Sequence, residues 1–419
     1  MTTHEFPIDW CRAQFPALSR TVANRPVAFF DGPGGSQVPQ RVIDAVGHYL
    51  GQTNANRGGR YATAHESDEL IEAAHATMAE FVGSPSADSI VFGANMTTLT
   101  FGLSRALGRT WQAGDEVVVT RLDHDGNVTP WVRAAQDAGA TVRYVDFQKA
   151  NCTLDLQDFA SKLSARTRLV AIGCASNIVG TINPVREMCR QAHAVGAQVF
   201  LDAVHYAPHA LPDVRDWDCD WLACSAYKFF GPHVGVLWGR QELLTSLTPY
   251  KLRPVTESLP GRWMTGTQNF EGIAGTKAAV DYLADLGRHI GSKSTSLRND
   301  LQTAYSAIAD YEQKLASTLL AGLVAMPQIK VLGLTDPQRQ NERTPTVSFV
   351  HDRIPAIEIA DRLGRLGLFV GHGNFYALQV SEAFDLEPQG VIRVGLMHYN
   401  TQTEIDRLLA AIRELPTPP

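Results

Sequence analysis

The sequence predicts an α/β fold with a mostly parallel central sheet, followed by a smaller α+β domain at the C-terminus. Between about residues 85 and 240, short apolar runs alternate with amphipathic stretches. The apolar runs are nearly continuous, which is typical of strands that helices cover on both faces. Because 419 residues exceed one typical hydrophobic core, we expect an N-terminal segment at 1–28, a large domain at 29–287 and a small domain at 288–419.

Strands and helices alternate along the predicted large domain. The expected strands are Ser89–Phe92, Glu116–Thr120, Val142–Val145, Leu169–Gly173, Gln198–Leu201, Trp221–Cys224 and Val234–Trp238. The helices expected between them are Leu99–Leu107, Thr129–Ala138, Leu156–Leu163 and Val185–Ala194. Active sites of such sheets lie beyond the carboxyl ends of the strands, so a catalytic side chain should directly follow a strand.

The pattern changes after about Gly287, where mixed helices and strands indicate the smaller α+β domain. The expected helices are Leu297–Val324, Ala356–Leu366 and Glu404–Leu415, and the expected strands are Ile329–Leu332, Thr346–Val350, Leu368–Val370 and Val391–Val394. We expect the segment before about Phe29 to pack onto this domain. The tail Pro416–Pro419 is expected to be disordered.

Composition excludes several classes of protein. The net charge is -6 and no Lys/Arg run exceeds two residues, so nucleic acid is not an expected partner. No stretch reaches about 18 apolar residues, so no membrane span is expected. The N-terminus lacks a basic segment followed by an apolar one, which favours a cytoplasmic location. The six cysteines show neither Cys-x-x-Cys nor zinc spacing, so we expect buried thiols and no metal site.

Lys228 is the most distinctive of the eight lysines. It follows the apolar run Trp221–Cys224 and lies among aromatic residues in the string Ser225–Pro232. A lysine desolvated in such a place has a lowered pKa and is nucleophilic towards an aldehyde. Read alone, this string also fits a surface lysine with a buried stem.

Asp202 changes the interpretation of Lys228. It ends the apolar run Gln198–Leu201 and precedes Lys228 by 26 residues. A carboxylate at a strand end can pair with a protonated pyridine nitrogen and so make that ring a better electron sink. An isolated Asp there is often a turn or cap residue, but an Asp and a Lys at two strand ends of one sheet indicate a shared site.

Three more strings follow predicted strands. Asn95–Thr98 precedes a helix and could cradle an anion with its N–H groups and hydroxyls, although a simple helix cap is the alternative. In Asp123–Asn127, His124 could stack on a cofactor ring or be structural. Ser176–Asn177 follows the predicted strand Leu169–Gly173. The Asn177 amide could donate a hydrogen bond to a ring oxygen or complete a turn.

Taken in order, these strings resemble the class V aminotransferase group of fold-type I pyridoxal-phosphate (PLP) enzymes, and most closely the cysteine desulfurases. The resemblance covers about residues 28–412. It is carried by Phe30–Gly35, Asp123–Trp131, Ser176–Pro184, Leu201–His205, Asp218–Pro232 and Met264–Asn269. It implies a fold-type I PLP-dependent transferase fold and an amino-acid substrate.

The resemblance also implies how the cofactor is held. Lys228 would bind PLP covalently as a Schiff base, Asp202 would bind the pyridine nitrogen, and His124 would stack on the ring. The phosphate would contact Met96, Thr97 and Ser225. Asn177 and His205 would lie near the phenolic oxygen, although the family has Gln at the position of His205. Tyr227 stands where the family has His, and could supply a hydroxyl.

Further residues are implied at the substrate side. Arg393, in Val391–Gly395, matches the arginine that binds the substrate carboxylate, and a bidentate arginine suits that task. Other expected substrate contacts are Gly34, Arg57, Asn374 and Tyr376. Thr267 matches a residue that reaches the phosphate in the partner subunit, which implies a homodimer with a shared active site.

One departure from the resemblance bears on the reaction. Cysteine desulfurases carry a nucleophilic Cys on a C-terminal loop, whereas Gly371–Ala377 contains none, and no cysteine follows Cys224. Gly371 replaces a second family arginine, and Asn56 replaces a family His. Without a thiolate there, a persulfide cannot form by the usual route.

We therefore expect a lyase or β-substitution enzyme, in which His372, Asn374 or Tyr376 assists the leaving group. The alternatives are an aminotransferase and an amino-acid epimerase or Cα carbon–carbon bond-forming enzyme. A non-catalytic PLP fold that serves as a regulatory partner is a hypothesis of another class. A nucleotide-binding Rossmann enzyme is weaker still, because Gly32–Gly35 is not part of a GxGxxG unit.

Overall fold

A seven-stranded sheet forms the centre of the structure, which is a computed structural model that describes residues 5–415. In chain order its strands are β1 (Ile90–Gly93), β2 (Glu116–Thr120), β3 (Thr141–Val145), β4 (Thr167–Gly173), β5 (Gln198–Asp202), β6 (Trp221–Ser225) and β7 (Gly235–Gly239). Their spatial order is β1-β7-β6-β5-β4-β2-β3. Only β7 runs antiparallel to its neighbours among the strands of this sheet. The prediction of an α/β fold with a mostly parallel sheet is confirmed.

The burial of each strand explains its sequence. Every residue of β2, β6 and β7 is buried, in agreement with apolar runs that have no polar face. The edge strand β3 instead alternates between exposed and partly buried positions before it ends at the buried Val145. Helices cover the sheet on both faces, and two hydrophobic clusters form on its two sides.

Helices lie before and around this sheet. They are α1 (Ile8–Ala13), α2 (Gln40–His48), α3 (Ala62–Val82), α4 (Met96–Gly108), α5 (Thr129–Ala138), α6 (Leu156–Lys162), α7 (Val185–Ala194), α8 (Val214–Trp217), α9 (Gln241–Ser246) and α10 (Phe270–Ile290). The prediction that α4 begins at Leu99 is wrong by three residues. The Asn95 side chain caps the helix by accepting a hydrogen bond from the Thr98 N–H at 2.8 Å, so the first turn starts at Met96.

A four-stranded antiparallel sheet lies in the C-terminal part of the chain. Its strands are β8 (Ile329–Leu332), β9 (Thr346–His351), β10 (Gly371–Gly373) and β11 (Val391–Gly395), in the spatial order β8-β9-β11-β10. The helices of this part are α11 (Leu297–Val324), α12 (Ala356–Arg365), α13 (Leu378–Ala383) and α14 (Gln402–Arg413). Helices α11, α12 and α14 bury a separate hydrophobic cluster with this sheet, whereas Val380 of α13 belongs to a cluster on the central sheet. The division into 1–28, 29–287 and 288–419 stays a prediction.

The N-terminal segment contacts the C-terminal part directly. Arg12 forms an ion pair of 2.9 Å with Glu404 on α14 and donates a hydrogen bond of 2.6 Å to the Tyr399 carbonyl. Leu368–Phe369 pairs in parallel with Ala28–Phe29, so this predicted strand lies outside the four-stranded sheet. Two further short antiparallel strand pairs join Thr21–Val22 to Arg25–Pro26 and Phe147–Gln148 to Thr153–Leu154. The tail Pro416–Pro419 lies outside the described residues, and no helix within 5–415 is long and apolar enough to span a membrane.

Candidate active site

A cavity of about 260 Å³ opens at the carboxyl ends of the central strands. The last residues of β4, β5 and β6, namely Gly173, Asp202 and Ser225, form part of its wall. The predicted site residues that line it are Gly34, Met96, Thr97, His124, Asn177, Asp202, His205, Ser225, Tyr227, Lys228, Tyr376 and Arg393. Because the carboxyl ends of parallel strands meet at one edge of the sheet, residues that are far apart in the sequence come together there.

Lys228 lies in a tight turn directly after β6, with its amine turned into the cavity. The amine donates a hydrogen bond to the carbonyl of Pro33 and lies 4.6 Å from the centre of the Tyr227 ring. Burial lowers the pKa of Lys228 to about 7, and the nearby Arg393 charge contributes to this shift. The neutral, nucleophilic amine is therefore well populated near neutral pH.

Asp202 is a buried carboxylate without a bonded cation among the described residues. Its Oδ1 accepts a hydrogen bond of 2.8 Å from the Val204 N–H. Burial raises the pKa of Asp202 to about 6, and this is opposed by the Val204 hydrogen bond and then by the Lys228 charge. A buried carboxylate that has no bonded cation is stabilised when a cationic partner binds to it.

Asp123 also lines the cavity, and the sequence analysis assigned it no role. Its two carboxylate oxygens accept hydrogen bonds from the Gly173 N–H at 2.9 and 3.0 Å, and one also accepts from Asn127 Nδ2 at 2.9 Å. Burial raises the pKa of Asp123 to about 7, against its hydrogen bond to Gly173, and the charge on Asp202 adds to the rise. Its position directly before His124 at a strand end was the available signal.

His124 has a defined tautomer when neutral. Its Nδ1 accepts a hydrogen bond of 2.9 Å from the Gly126 N–H, so the ring proton lies on Nε2. Burial lowers the pKa of His124 to about 4, with Lys228 as the next cause. A Cβ at Gly126 would lie 2.9 Å from His124 Nδ1 and 3.0 Å from Thr97 Oγ1, so glycine allows these two groups to approach each other.

The first turn of α4 forms the predicted anion cradle. Met96 and Thr97 line the cavity there, and the Met96 N–H donates a hydrogen bond of 3.1 Å to Ser225 Oγ. A Cβ at Gly235 would lie 2.4 Å from the Asn95 carbonyl carbon, so β7 can support this turn closely only with glycine. The dipole of a 13-residue helix favours an anion at this end.

His205 is held by two threonines of the C-terminal part. Its Nε2 lies 3.2 Å from Thr344 Oγ1 and 3.1 Å from Thr346 Oγ1. Because the Thr344 hydroxyl donates to the Gly180 carbonyl, it can only accept from His205, which places the ring proton on Nε2. Burial lowers the pKa of His205 well below its usual value, so the ring is neutral.

Arg393 provides the one guanidinium among the lining residues. Its Nη1 donates a hydrogen bond of 2.9 Å to the Asn177 carbonyl, while its Nε is buried with no partner among the described residues. Burial lowers the pKa of Arg393 to about 9, although Asp31 opposes this shift. A Cβ at Gly34 would lie 3.6 Å from Nη2, so glycine keeps space open beside this nitrogen.

Three predicted site residues lie outside the cavity of their own chain. Arg57 pairs with Asp68 at 2.7 Å, and Asn374 Nδ2 donates a hydrogen bond of 3.0 Å to Glu387 Oε1. Thr267 is exposed on the segment before α10. His372 is also exposed and does not line the cavity.

No thiol faces the cavity. All six cysteines are within residues 5–415, and each is free and buried, which confirms the prediction for these residues. None of them is among the residues that line the cavity. Between Gly371 and Ala377, the lining side chains are instead Phe375 and Tyr376.

A model of the aminotransferase class-V family matches residues 28–408. The chain belongs to this family. This chain is 30% identical to a cysteine desulfurase of Serratia proteamaculans, and the match covers 98% of both chains. It is 34% identical to the aminotransferase-like protein FGM3 of Gibberella zeae, over 98% of this chain and 99% of that one.

Solved structures show the same fold. The apo structure of a cysteine desulfurase from Thermococcus onnurineus NA1 has a TM-score of 0.86 at 24% identity, with 99% of both chains covered. The cysteine desulfurase CsdA from Escherichia coli has a TM-score of 0.83 at 23% identity, with 98% of both chains covered. The class V chain is therefore a fold-type I, PLP-dependent enzyme, as predicted.

The cavity fits this cofactor on its own chemistry. It offers a buried amine of lowered pKa, a buried carboxylate that lacks a cation, and a helix N-terminus suited to a phosphate. The buried Asn177 Oδ1 has no partner among the described residues, so a polar group can still be satisfied there. These observations match the needs of an aldehyde, a pyridinium nitrogen and a phosphate.

Proposed function

We propose that this class V enzyme catalyses β-elimination or β-substitution on a β-substituted α-amino acid, without forming a persulfide on the protein. The observation that carries this proposal is the cavity wall between Gly371 and Ala377. Phe375 and Tyr376 line the cavity there, and no cysteine within residues 5–415 does. A thiolate nucleophile is thus missing where the desulfurase resemblance requires one.

In this proposal the residues that hold PLP are those of the strand ends and the α4 turn. Lys228 would bind it covalently, Asp202 would pair with its nitrogen, and His124 would stack on its ring. Met96, Thr97 and Ser225 hold the phosphate, while Asn177, His205 and Tyr227 surround the remaining polar edge. Bound PLP supplies an electron sink for the charge that develops at the substrate Cα.

The chain's own groups move the proton and place the substrate. The Lys228 amine, once the substrate amine has taken its place, is free to remove the proton from Cα as a general base, and its pKa is lowered to about 7. Arg393 binds the α-carboxylate through its guanidinium. Tyr376 lines the cavity, is 71% exposed and has its ring 5.4 Å from the His124 ring. In this proposal its hydroxyl protonates the leaving group.

A substrate screen tests this proposal. The holoenzyme is incubated with L-cysteine, O-acetyl-L-serine and L-alanine, and the products are identified by mass spectrometry, with Lys228→Ala as the control. Elimination releases the leaving group and, after hydrolysis, pyruvate and ammonia, whereas substitution in the presence of an added thiol joins that thiol to Cβ and gives a new β-substituted amino acid. Both products should depend on a β-substituent and on Lys228.

Other outcomes would replace the proposal. Keto acids formed with stoichiometric amination of the cofactor would make the enzyme an aminotransferase. Solvent deuterium at Cα with an unchanged carbon skeleton would indicate an epimerase. If the absorbance of the bound cofactor does not change when any amino acid is added, a non-catalytic, regulatory role would be favoured.

We also propose that the enzyme is a homodimer with a shared active site. Thr267 is exposed and outside the cavity of its own chain, which suits a contact made to the partner subunit. Large apolar side chains are exposed on the same segment between α9 and α10, with Tyr250 60% and Leu252 64% accessible. Such exposed apolar groups support an interface.

A further inference from the structure

Phe375 covers one face of the Arg393 guanidinium. The centre of its ring lies 3.6 Å from the guanidinium carbon, and both side chains line the cavity. Arg393 is only 4% exposed. The ring therefore keeps water from that face and supplies a cation–π contact in a desolvated place, where such contacts are strongest.

Asn177 ties the ring and the guanidinium to one anchor. Its side-chain Nδ2 donates a hydrogen bond of 2.9 Å to the Phe375 carbonyl. Its own carbonyl accepts a hydrogen bond of 2.9 Å from Arg393 Nη1. The position of the Phe375 backbone is thus fixed relative to the arginine by a single residue.

The backbone around Phe375 is held in an unusual conformation. Phe375 has a φ of 54° and Tyr376 a φ of 60°. These values lie in the left-handed region, which residues other than glycine rarely adopt. The Asp125 N–H donates a hydrogen bond of 2.7 Å to the Tyr376 carbonyl, and the Tyr376 N–H donates one of 3.1 Å to Asn374 Oδ1. Strain retained by several hydrogen bonds at a cavity wall indicates a conformation with a function.

Gly371 leaves room for the ring. A Cβ at this position would lie 2.9 and 3.0 Å from two atoms of the Phe375 ring. The ring and a side chain at position 371 therefore exclude each other. The cavity has a single guanidinium with an aromatic ring on one face, rather than two guanidinium groups.

We propose that Phe375 is a positioning residue that orients Arg393 for a substrate with one carboxylate at this end of the cavity. This inference rests on the proposed role of Arg393 in carboxylate binding. Phe375 blocks one face and Asn177 occupies Nη1, so the guanidinium presents the side of Nη2 beside Gly34. The α-carboxylate is thereby bound in the plane of the guanidinium, where its hydrogen bonds are directional.

The test compares L-alanine with L-alaninamide, which lacks the carboxylate. Dissociation constants for the holoenzyme are taken from the change in cofactor absorbance. Phe375→Leu should reduce the preference for L-alanine by about 5- to 30-fold, the range that a desolvated cation–π contact can supply. Binding of L-alaninamide should change little, and Phe375→Tyr should restore most of the preference.

Arg393→Met distinguishes the carboxylate-binding role of Arg393 from the positioning role of Phe375. If it abolishes the preference while Phe375→Leu retains the wild-type ratio, the positioning role of Phe375 is wrong and the proposed function stands. If Phe375→Leu weakens both ligands equally, Phe375 only shapes the cavity. If Arg393→Met leaves the ratio unchanged, the carboxylate-binding role of Arg393 and the positioning role of Phe375 are both wrong, whereas the reaction type is still decided by the product screen.

A second measurement does not need the cofactor. Phenylglyoxal reacts with accessible guanidinium groups, and peptide mass spectrometry reports the extent of reaction at Arg393. In the cofactor-free protein, Phe375→Leu should make Arg393 react faster because one face is uncovered. An unchanged rate would show that the ring does not shield the guanidinium.

Discussion

The buried guanidinium of Arg393 lowers the pKa of the Lys228 amine across the same cavity. Burial is the larger cause of this shift, and the negative charges of Asp202 and Asp31 oppose it. The result, a pKa of about 7, lies where a base is both available and effective near neutral pH. The substrate-binding cation and the proposed base are therefore electrostatically coupled, because a bound carboxylate that neutralises Arg393 would let the pKa of Lys228 rise.

The lowered pKa of Lys228 should make the stability of the cofactor-free protein depend on pH. Unfolding returns the pKa from about 7 to its usual 10.5, so the unfolded chain binds more protons between these values. The free energy of unfolding then rises with pH in this window, by at most about 1.4 kcal/mol per pH unit from this one group. Lys228→Met should remove that contribution, as measured by urea unfolding at several pH values.

The exposed Lys314 is the control for this measurement. Lys314→Met removes a lysine but no buried amine, so it should retain the wild-type dependence on pH. Equal slopes for wild type and Lys228→Met would mean that the amine is not desolvated in the folded protein.

Asp202→Asn should weaken the binding of PLP. The amide cannot carry the negative charge that pairs with the pyridinium nitrogen, and truncating one member of a buried charge pair costs about 2 kcal/mol or more. We expect the dissociation constant to rise by about 30-fold or more, as measured by absorbance titration of the cofactor-free protein. Asp115→Asn is the matched control, because Asp115 is a buried carboxylate paired with Arg168 before β2, at the opposite end of the sheet. A similar loss in both variants would point to general destabilisation.

Mixed dimers test whether Thr267 acts across the subunit interface. Thr267→Asp places a negative charge near the phosphate and should inactivate the homodimer, as should Lys228→Ala. In a dimer of one chain of each kind, one site combines the intact Lys228 of one chain with the intact Thr267 of the other. Activity should therefore return on mixing and reassociation. Two inactive variants that stay inactive together, although native mass spectrometry shows mixed dimers, would contradict a shared site.

Gly371→Ala should displace the Phe375 ring, because the new Cβ would lie 2.9 Å from a ring atom. We expect a loss of about 1–3 kcal/mol in unfolding free energy, as for other overpacked sites, and a reduced preference for L-alanine over L-alaninamide. Gly364→Ala on α12 is the control, since no atom lies within 4 Å of its Cβ position and alanine favours a helix. Thermal unfolding measures the change in stability, and the ligand titration measures the change in preference. If Gly371→Ala matches the wild type in both, the Phe375 ring can move without loss of stability or of carboxylate preference.

The sequence predicted those features that depend on local pattern. Lys228 and Asp202 could be found because each follows an apolar strand, and a parallel sheet brings such ends together. The contact between Phe375 and Arg393 could not be found, because it depends on a left-handed backbone and on an anchor at Asn177 almost 200 residues earlier in the chain. Asp123 was within reach, since it directly precedes His124 at the end of β2.

Two residues that the motif matches proposed as substrate contacts are not among those that line the cavity. Arg57 and Asn374 match strings at the substrate mouth, but each side chain has an acidic partner of its own, Asp68 and Glu387 respectively. A sequence match fixes the position of a residue along a loop, whereas competing ion pairs and hydrogen bonds fix the direction of its side chain.

Borohydride reduction of the holoenzyme followed by peptide mass spectrometry tests the attachment of the cofactor to Lys228 most directly. We expect a single pyridoxyl phosphate adduct, on the peptide that contains Lys228, and no adduct in Lys228→Ala, which should also lose the visible band of the bound cofactor. An adduct on any of the other lysines, or an unchanged band in Lys228→Ala, would contradict the assignment of Lys228 as the residue that carries PLP.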